Sequence, residues 1–333
     1  MKCLKPKYYD QFSCIAGACP DSCCKGWAVD VDDDAAAFYR GLAGDLGDRL
    51  RSVLADEGDG AYMQIENGRC PMWRDDGLCR IQAELDHDAL CHVCRTFPRL
   101  RHDYGDFVEL GLELSCPEAA KLILTEPSDL LCQEIPGGEE AEYEPEIMET
   151  LLRSRAEALA FLAEDTYSVP QQLAVLLLYA HGVQAELDGG EPAILCPAED
   201  LAEAARYATG GSLDGLLDFF KDLEVLDPAW PARLVQPTPG PWNAQYRLLA
   251  RYFILRYWLQ AVSDYDLISR VKLVVSACLV IRALGGDLIQ TAQAFSKEIE
   301  NDPDNVEAIL DGAYTSPALT DTQLLSLLLR SDL

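Results

Sequence analysis

The chain has 333 residues, 27 basic against 56 acidic side chains, a net charge of −29 and 13 cysteines. This length and an apolar share of 49% exclude a disordered chain, and the acidity excludes the basic face of a nucleic-acid binder. The most apolar runs, 173–180 and 273–284, fall short of the roughly 20 residues a membrane span needs, so no membrane association is expected.

The opening decapeptide is basic, with no apolar segment behind it. A secretory leader is therefore not expected, and the expected location is cytoplasmic, where thiols stay reduced. Metal binding or catalysis then accounts for the cysteines better than disulfides do. The acidity itself fits solubility, or attraction of a cationic partner such as a lysine-bearing protein surface.

Three stretches carry strand signals. Residues 27–31 and 61–65 alternate cleanly, and 107–114 less so, enough for a small sheet supporting cysteine-rich loops. Residues 133–150 hold seven acidic residues, no basic one, and Pro136-Gly137-Gly138, which reads as a solvated linker. Beyond it, apolar residues recur at helical spacing over 151–162, 171–185, 198–207, 242–262, 267–284 and 319–329. Gly189-Gly190, Gly210-Gly211, 237–241 and Gly285-Gly286 mark stops between them. The expected fold is mainly α: a cysteine-rich metal-binding part with a small β-sheet over 1–132, an acidic linker over 133–150, and an α-helical bundle or stacked-helix domain over 151–333. There is no alternation of strands and helices and no Gly-rich phosphate loop, so a dinucleotide fold is not expected.

Nine cysteines fall into four short stretches: Cys14, Cys19, Cys23 and Cys24; Cys70 and Cys79; Cys91 and Cys94; and Cys116. The first four lie within eleven residues and converge only if the chain curls, with Gly17, Pro20 and Gly26 as turn-makers. Neighbouring side chains point apart, so Cys23 and Cys24 are expected to face different partners. Asp76-Gly77 places Cys70 and Cys79 on a hairpin. Cys91-x2-Cys94 sets two sulfurs on one side of a tight turn. Cys116 opens a helix, with Ser115 or Cys116 at its cap and Pro117 in the first turn, and such an N-terminus favours thiolate. Nine thiols exceed one four-ligand site, and spacing alone leaves zinc and an iron–sulfur cluster equally open.

The other cysteines stand outside this constellation. Cys3 lies near the terminus, and Cys132, Cys196 and Cys278 read as small buried hydrophobes in helical sequence. His92, inside the C-x2-C element, is open as a ligand, an acid–base group or a surface residue. His87 and His102 are weaker, His181 reads as structural, and the aromatic stripe Tyr246, Tyr252, Phe253, Tyr257, Trp258 reads as core.

Pro6-Lys7-Tyr8-Tyr9, then Phe12-Ser13-Cys14-Ile15, Gly17, Cys19, Asp21, Cys23-Cys24 and Gly26-Trp27, resembles the opening of flagellin lysine-N-methylases. Cys70-Pro71, Gly77-Leu78-Cys79, Cys94-Arg95-Thr96-Phe97-Pro98-Arg99 and Leu114-Ser115-Cys116-Pro117-Glu118 resemble the same family in the same order, over residues 6 to about 124. Two of these elements also resemble the wider zinc- or iron-chelating cysteine-cluster proteins.

The resemblance implies a 4Fe-4S cluster and methyl transfer from S-adenosylmethionine to lysine side chains of flagellin, or of another lysine-bearing protein. It favours iron over zinc, which stays as the alternative metal. The C-x3-C-x2-C element of radical S-adenosylmethionine enzymes is absent, so polar transfer is expected. Candidates for handling the lysine proton are His92, Asp21, Asp30 and Tyr8. The alternative is a non-enzymatic zinc- or iron-binding protein acting as a metal chaperone or interaction module.

Overall fold

The computed structural model describes residues 1–25, 29–57 and 60–330. The protein is mainly helical, 56% helix against 11% strand, with two small sheets. The first sheet has the order β5-β6-β1-β7, built from β1 (Lys2–Pro6), β5 (Arg99–Asp103), β6 (Phe107–Leu112) and β7 (Leu130–Glu134). Strand β1 runs parallel to β6, with Cys3 opposite Val108, and antiparallel to β7, with Leu4 opposite Cys132. Alternation along β1 buries Cys3 and Lys5 on one face, and the Lys5 ammonium is satisfied by Asp10 at 2.6 Å.

The second sheet has the order β2-β4-β3, from β2 (Val29–Val31), β3 (Leu54–Glu57) and β4 (Gly60–Met63). Helices α1 (Asp33–Gly41) and α2 (Gly44–Val53) cover it. Asp32 caps α1, its carboxylate accepting from the Ala35 N–H at 3.1 Å. Val29, Val31, Tyr39, Leu50, Met63, Met72, Ile81 and Leu90 close a separate small core, and Cys70 and Cys91 are buried in it.

The larger core joins β1 and β6 to the helices. These are α5 (Pro117–Thr125), α6 (Pro145–Leu162), α7 (Val169–Leu187), α8 (Pro197–Tyr207), α9 (Leu213–Lys221), α10 (Trp230–Val235), α11 (Gln245–Tyr257), α12 (Leu267–Leu284), α13 (Leu288–Ile299), α14 (Pro303–Thr315) and α15 (Asp321–Leu329). Helix α12 is apolar nearly all round because it runs through the middle of the bundle. Its end at Leu284 is forced: Gly285 takes φ +64°, and a Cβ there would lie 2.0 Å from the Thr238 carbonyl oxygen. Among the described residues no helix is long and apolar enough to cross a membrane.

The expected strands over 61–65 and 107–114 correspond to β4 and β6, and the 27–31 stretch to β2, with Trp27 and Ala28 outside the described residues. The expectation of small buried hydrophobes in helical sequence is corrected at Cys132 and Cys196. Cys132 is exposed on β7 rather than buried in helical sequence, because the antiparallel register with β1 turns it outward. Cys3 is 1% exposed and central in its sheet. Cys278 is buried on α12, as its apolar surroundings imply, while Cys196 is half-buried ahead of α8.

Candidate metal centre

The segment bearing Cys14 to Cys24 forms an arm that curls as its composition requires. Phe12 is buried, Ala16–Ala18 make one 3-10 turn entered with Ala16 at φ +50°, and the Cys19 N–H donates to the Ala16 carbonyl at 2.9 Å. Gly17 presses on the second cysteine stretch. A Cβ at Gly17 would meet the Asp76 carbonyl oxygen at 2.9 Å, and one at Gly77 (φ +81°) would meet the Gly17 Cα at 3.2 Å. The two loops therefore touch through their glycines. The Cys70 N–H donates to the Cys24 carbonyl at 2.7 Å, and Lys25 bridges to Arg69. Gly26, the third expected turn-maker, lies outside the described residues.

The expected hairpin at Asp76-Gly77 exists, with the Arg74 N–H donating to the Leu78 carbonyl at 2.9 Å. Its register differs from expectation: Trp73 stands opposite Cys79, and Cys70 lies beside Cys24 instead. Three candidate thiols occupy helix N-caps: Cys79 on α3 (Arg80–Glu84), Cys91 on α4 (His92–Thr96) and Cys116 on α5. The first-turn N–H groups of these helices work toward thiolate, but at Cys79 and Cys116 burial outweighs them. Tyr39 holds the Cys91 segment from below, its hydroxyl donating to the Ala89 carbonyl at 2.9 Å.

The thiols gather in two connected sets. Cys24 is hydrogen-bonded to both Cys23 and Cys70, and Cys91 to Cys94, while Cys79 lies within electrostatic reach of Cys24 and Cys91. On the other side Cys23 senses Cys14 and Cys116, and Cys116 senses Cys19 and Cys14. The adjacent pair Cys23-Cys24 thus joins Cys14, Cys19 and Cys116 to Cys70, Cys79, Cys91 and Cys94.

The hydrogen bonds from Cys23 and Cys70 hold the Cys24 thiol down at about 3, and the bond from Cys94 holds Cys91 at about 7. The donating thiols Cys23, Cys70 and Cys94 are pushed up by the same bonds. Burial pushes Cys116 to about 11 and raises Cys19 and Cys79. Among the described residues no three Cys, His, Asp or Glu side chains stand in the arrangement that holds a metal ion.

Of the proton-handling candidates, Asp21 lies in the arm. Its backbone carbonyl accepts from the Cys19 thiol at 3.2 Å, and its carboxylate pairs with Lys297 of α13 at 2.9 Å. His92 is exposed between Cys91 and Cys94, its backbone N–H donating to the Asp32 carboxylate at 2.6 Å. Asp30 is exposed on β2, opposite Tyr62. Tyr8 is 2% exposed in the larger core, its hydroxyl pushed up by burial. His87 is near Asp88 at 4.0 Å, His181 pairs with Asp321 at 3.1 Å, and half-buried His102 is lowered by burial and by Arg256.

Three contributors were not visible in the sequence. Asp32 doubles as helix cap and acceptor for His92. Gln293 and Lys297 reach the arm from α13, across more than 270 residues of chain. Only the Asp-rich start of α1 gave any local signal. Next to Leu90 opens a surface cavity of about 610 Å³ lined by the carboxylates of Asp32, Asp34, Glu84, Asp86 and Asp88 against the single guanidinium of Arg95, with Phe38 46% exposed at its wall.

Over an alignment of 142 residues that takes in 39% of the chain, it is 33% identical to the lysine-N-methylases of Salmonella typhimurium and Salmonella choleraesuis, and the match spans 34% of their length. It is 34% identical over 135 residues to the flagellar biosynthetic protein FliU of Salmonella muenchen, covering 77% of that protein. No family model and no solved structure matches the chain.

Proposed function

This chain belongs to the lysine-N-methylase and FliU family, and on that premise we propose that it methylates lysine side chains of a protein, flagellin first among them, using S-adenosylmethionine and an iron–sulfur cluster. The observation that carries the reading is the gathering of nine thiols around Cys23-Cys24. The chain spans about a third of the length of the lysine-N-methylases it matches, so activity, substrate and partner are proposals here.

The donor set suits a thiophilic centre. Cys14, Cys19, Cys23, Cys24, Cys70, Cys79, Cys91, Cys94 and Cys116 offer only sulfur, and three of them stand at helix N-caps. Zinc uses the same donors and is the alternative. A bound 4Fe-4S cluster would supply an iron atom able to hold the amino and carboxylate groups of S-adenosylmethionine.

The carboxylates of Asp32, Asp34, Glu84, Asp86 and Asp88 next to Leu90 draw in a cationic lysine, and the exposed ring of Phe38 packs on its methylene stem. The amine must shed its proton before it attacks, and we take His92 and the carboxylates of Asp34, Glu84, Asp86 and Asp88 as candidates to accept it. In the transfer the amine nitrogen bonds to the methyl carbon as the carbon–sulfur bond of the sulfonium breaks, leaving a neutral thioether. Geometry governs the rate, because nucleophile, methyl carbon and leaving sulfur must lie in line.

Anaerobic purification followed by iron, zinc and sulfide analysis tests the centre. A brown protein with iron and acid-labile sulfide is expected, and a colourless one with stoichiometric zinc would overturn the cluster and favour the chaperone or interaction module. Incubation with methyl-labelled S-adenosylmethionine and flagellin tests the activity: label on lysine is expected, and its absence from metal-loaded protein would overturn it. Release of 5′-deoxyadenosine would replace polar transfer by a radical route.

A further inference from the structure

Helix α13 grips two cysteine-bearing segments with one side chain. The Gln293 amide nitrogen, on a residue 9% exposed, donates to Asp21 Oδ2 at 3.0 Å and to the Ser115 carbonyl oxygen at 2.8 Å. Both N–H groups of the amide are thereby used. One turn further along the same face, Lys297 places its ammonium 2.9 Å from the same Asp21 oxygen. Asp21 follows Cys19, whose thiol donates to the Asp21 carbonyl at 3.2 Å, and Ser115 precedes Cys116 at the cap of α5. The arm and α5 are separated by more than ninety residues of chain, yet both are held against one amide.

We propose that Gln293, assisted by Lys297, is a positioning residue that sets the arm thiols Cys14, Cys19 and Cys23 against Cys116, making these four one unit distinct from Cys70, Cys79, Cys91 and Cys94. The second group is braced by its own small core and by the Cys70-to-Cys24 backbone bond, neither of which involves α13. The placement stands on geometry alone. Only its consequence for a metal rests on the function proposed above.

The test uses the full chain, metal-free and reduced, treated with a short bismaleimide and digested with trypsin. Cleavage after Lys7, Lys25, Arg69, Arg74, Arg101 and Lys121 puts the arm thiols in peptide 8–25, Cys116 in 102–121 and Cys70 in 70–74. A link between 8–25 and 102–121 reports the proposed unit, and a link between 8–25 and 70–74 is the internal reference. Gln293→Leu is expected to lower the first relative to the second about tenfold, the effect of losing two buried hydrogen bonds. An unchanged ratio would overturn the proposal, as would an equal fall of both links with loss of the cooperative melt.

If Gln293→Leu does not fold, Lys297→Met is expected to shift the ratio in the same direction and Lys297→Arg to restore it; no shift with Lys297→Met would overturn the proposal. Anaerobic loading with ferrous iron and sulfide adds a second readout, a displaced midpoint potential in the variant. A chain that takes up no iron would defeat the cluster reading while leaving the cross-link result standing.

Discussion

Arg155 of α6 lays both terminal nitrogens on the two carboxylate oxygens of Glu109 in β6, at 2.7 and 2.5 Å, with side chains 3% and 8% exposed. The pair fastens the first sheet to the helices. Removing one partner strands a buried charge, so Arg155→Met or Glu109→Leu is expected to cost about 3–5 kcal/mol. The double variant should recover much of that loss, because two apolar chains of similar size fill the site. Urea midpoints of the three variants check the ordering.

Glu300, 1% exposed, accepts from the hydroxyls of Tyr252 at 3.0 Å and Tyr257 at 2.9 Å and pairs with Arg256 at 3.0 Å. Tyr257→Phe should lose one hydrogen bond to a charged group, about 1.5–3 kcal/mol, whereas Glu300→Leu should lose more by leaving Arg256 unpaired. Thermal melts followed by far-UV circular dichroism decide whether that order holds.

At Gly285, φ +64° with ψ −157° is a conformation reserved for glycine, and the Thr238 carbonyl blocks any Cβ. Gly285→Ala is expected to destabilise by about 2–3 kcal/mol or more. Gly189 has φ +90° but open space around it, so Gly189→Ala should cost less. Equal losses in a denaturant titration would show that the steric contact adds nothing to the backbone strain.

Acid should weaken the start of α12. Burial raises the Asp266 carboxyl, but hydrogen bonds from Ser269 and Tyr314, with the charge of Arg270, outweigh it and hold the group below the usual range. Its contribution is therefore complete above the ordinary aspartate value and lost as pH falls through the depressed one. Asp266→Ala should cost about 1 kcal/mol at neutral pH as a lost cap, and its stability should depend less on pH on the acid side. Urea midpoints measured from pH 3 to 7 report both effects.

Cys24, hydrogen-bonded to two other thiols, should matter most for metal content. Cys24→Ser is expected to lower bound iron sharply, while Cys132→Ser and Cys278→Ala leave it at the parental level. Metal analysis after identical anaerobic loading would refute this if all three variants lost iron alike.

Long, periodic helices were legible from sequence: 267–284 is α12 to the residue, and 171–185 and 198–207 lie within α7 and α8. The stretch 242–262 proved to be α11 followed by a 3-10 turn at Trp258–Val262. Helices α1 and α2 went unseen, since their polar faces dilute a short apolar stripe. Strand β1 was hidden too, because Lys2 and Lys5 among its five residues mask an interior strand. At the site, Ser115-Cys116-Pro117 announced a helix start and left Ser115 and Cys116 as possible caps, of which Cys116 is the one. The shift that pairs Cys70 with Cys24 did not, because register depends on a backbone bond between loops 46 residues apart. The grip of α13 on Asp21 carries no local signal at all.

The strand order has a consequence for synthesis. Strand β1 is made before both of its partners, yet it sits inside its sheet, between a parallel neighbour made about a hundred residues later and an antiparallel one completed at Glu134. Until both exist the first strand has nowhere to dock, and the cysteine arm directly behind it trails unanchored. The thiols of the arm thus stay open to oxidation until α13 has been made, because the hydrogen bonds of Gln293 and Lys297 to Asp21 form only then.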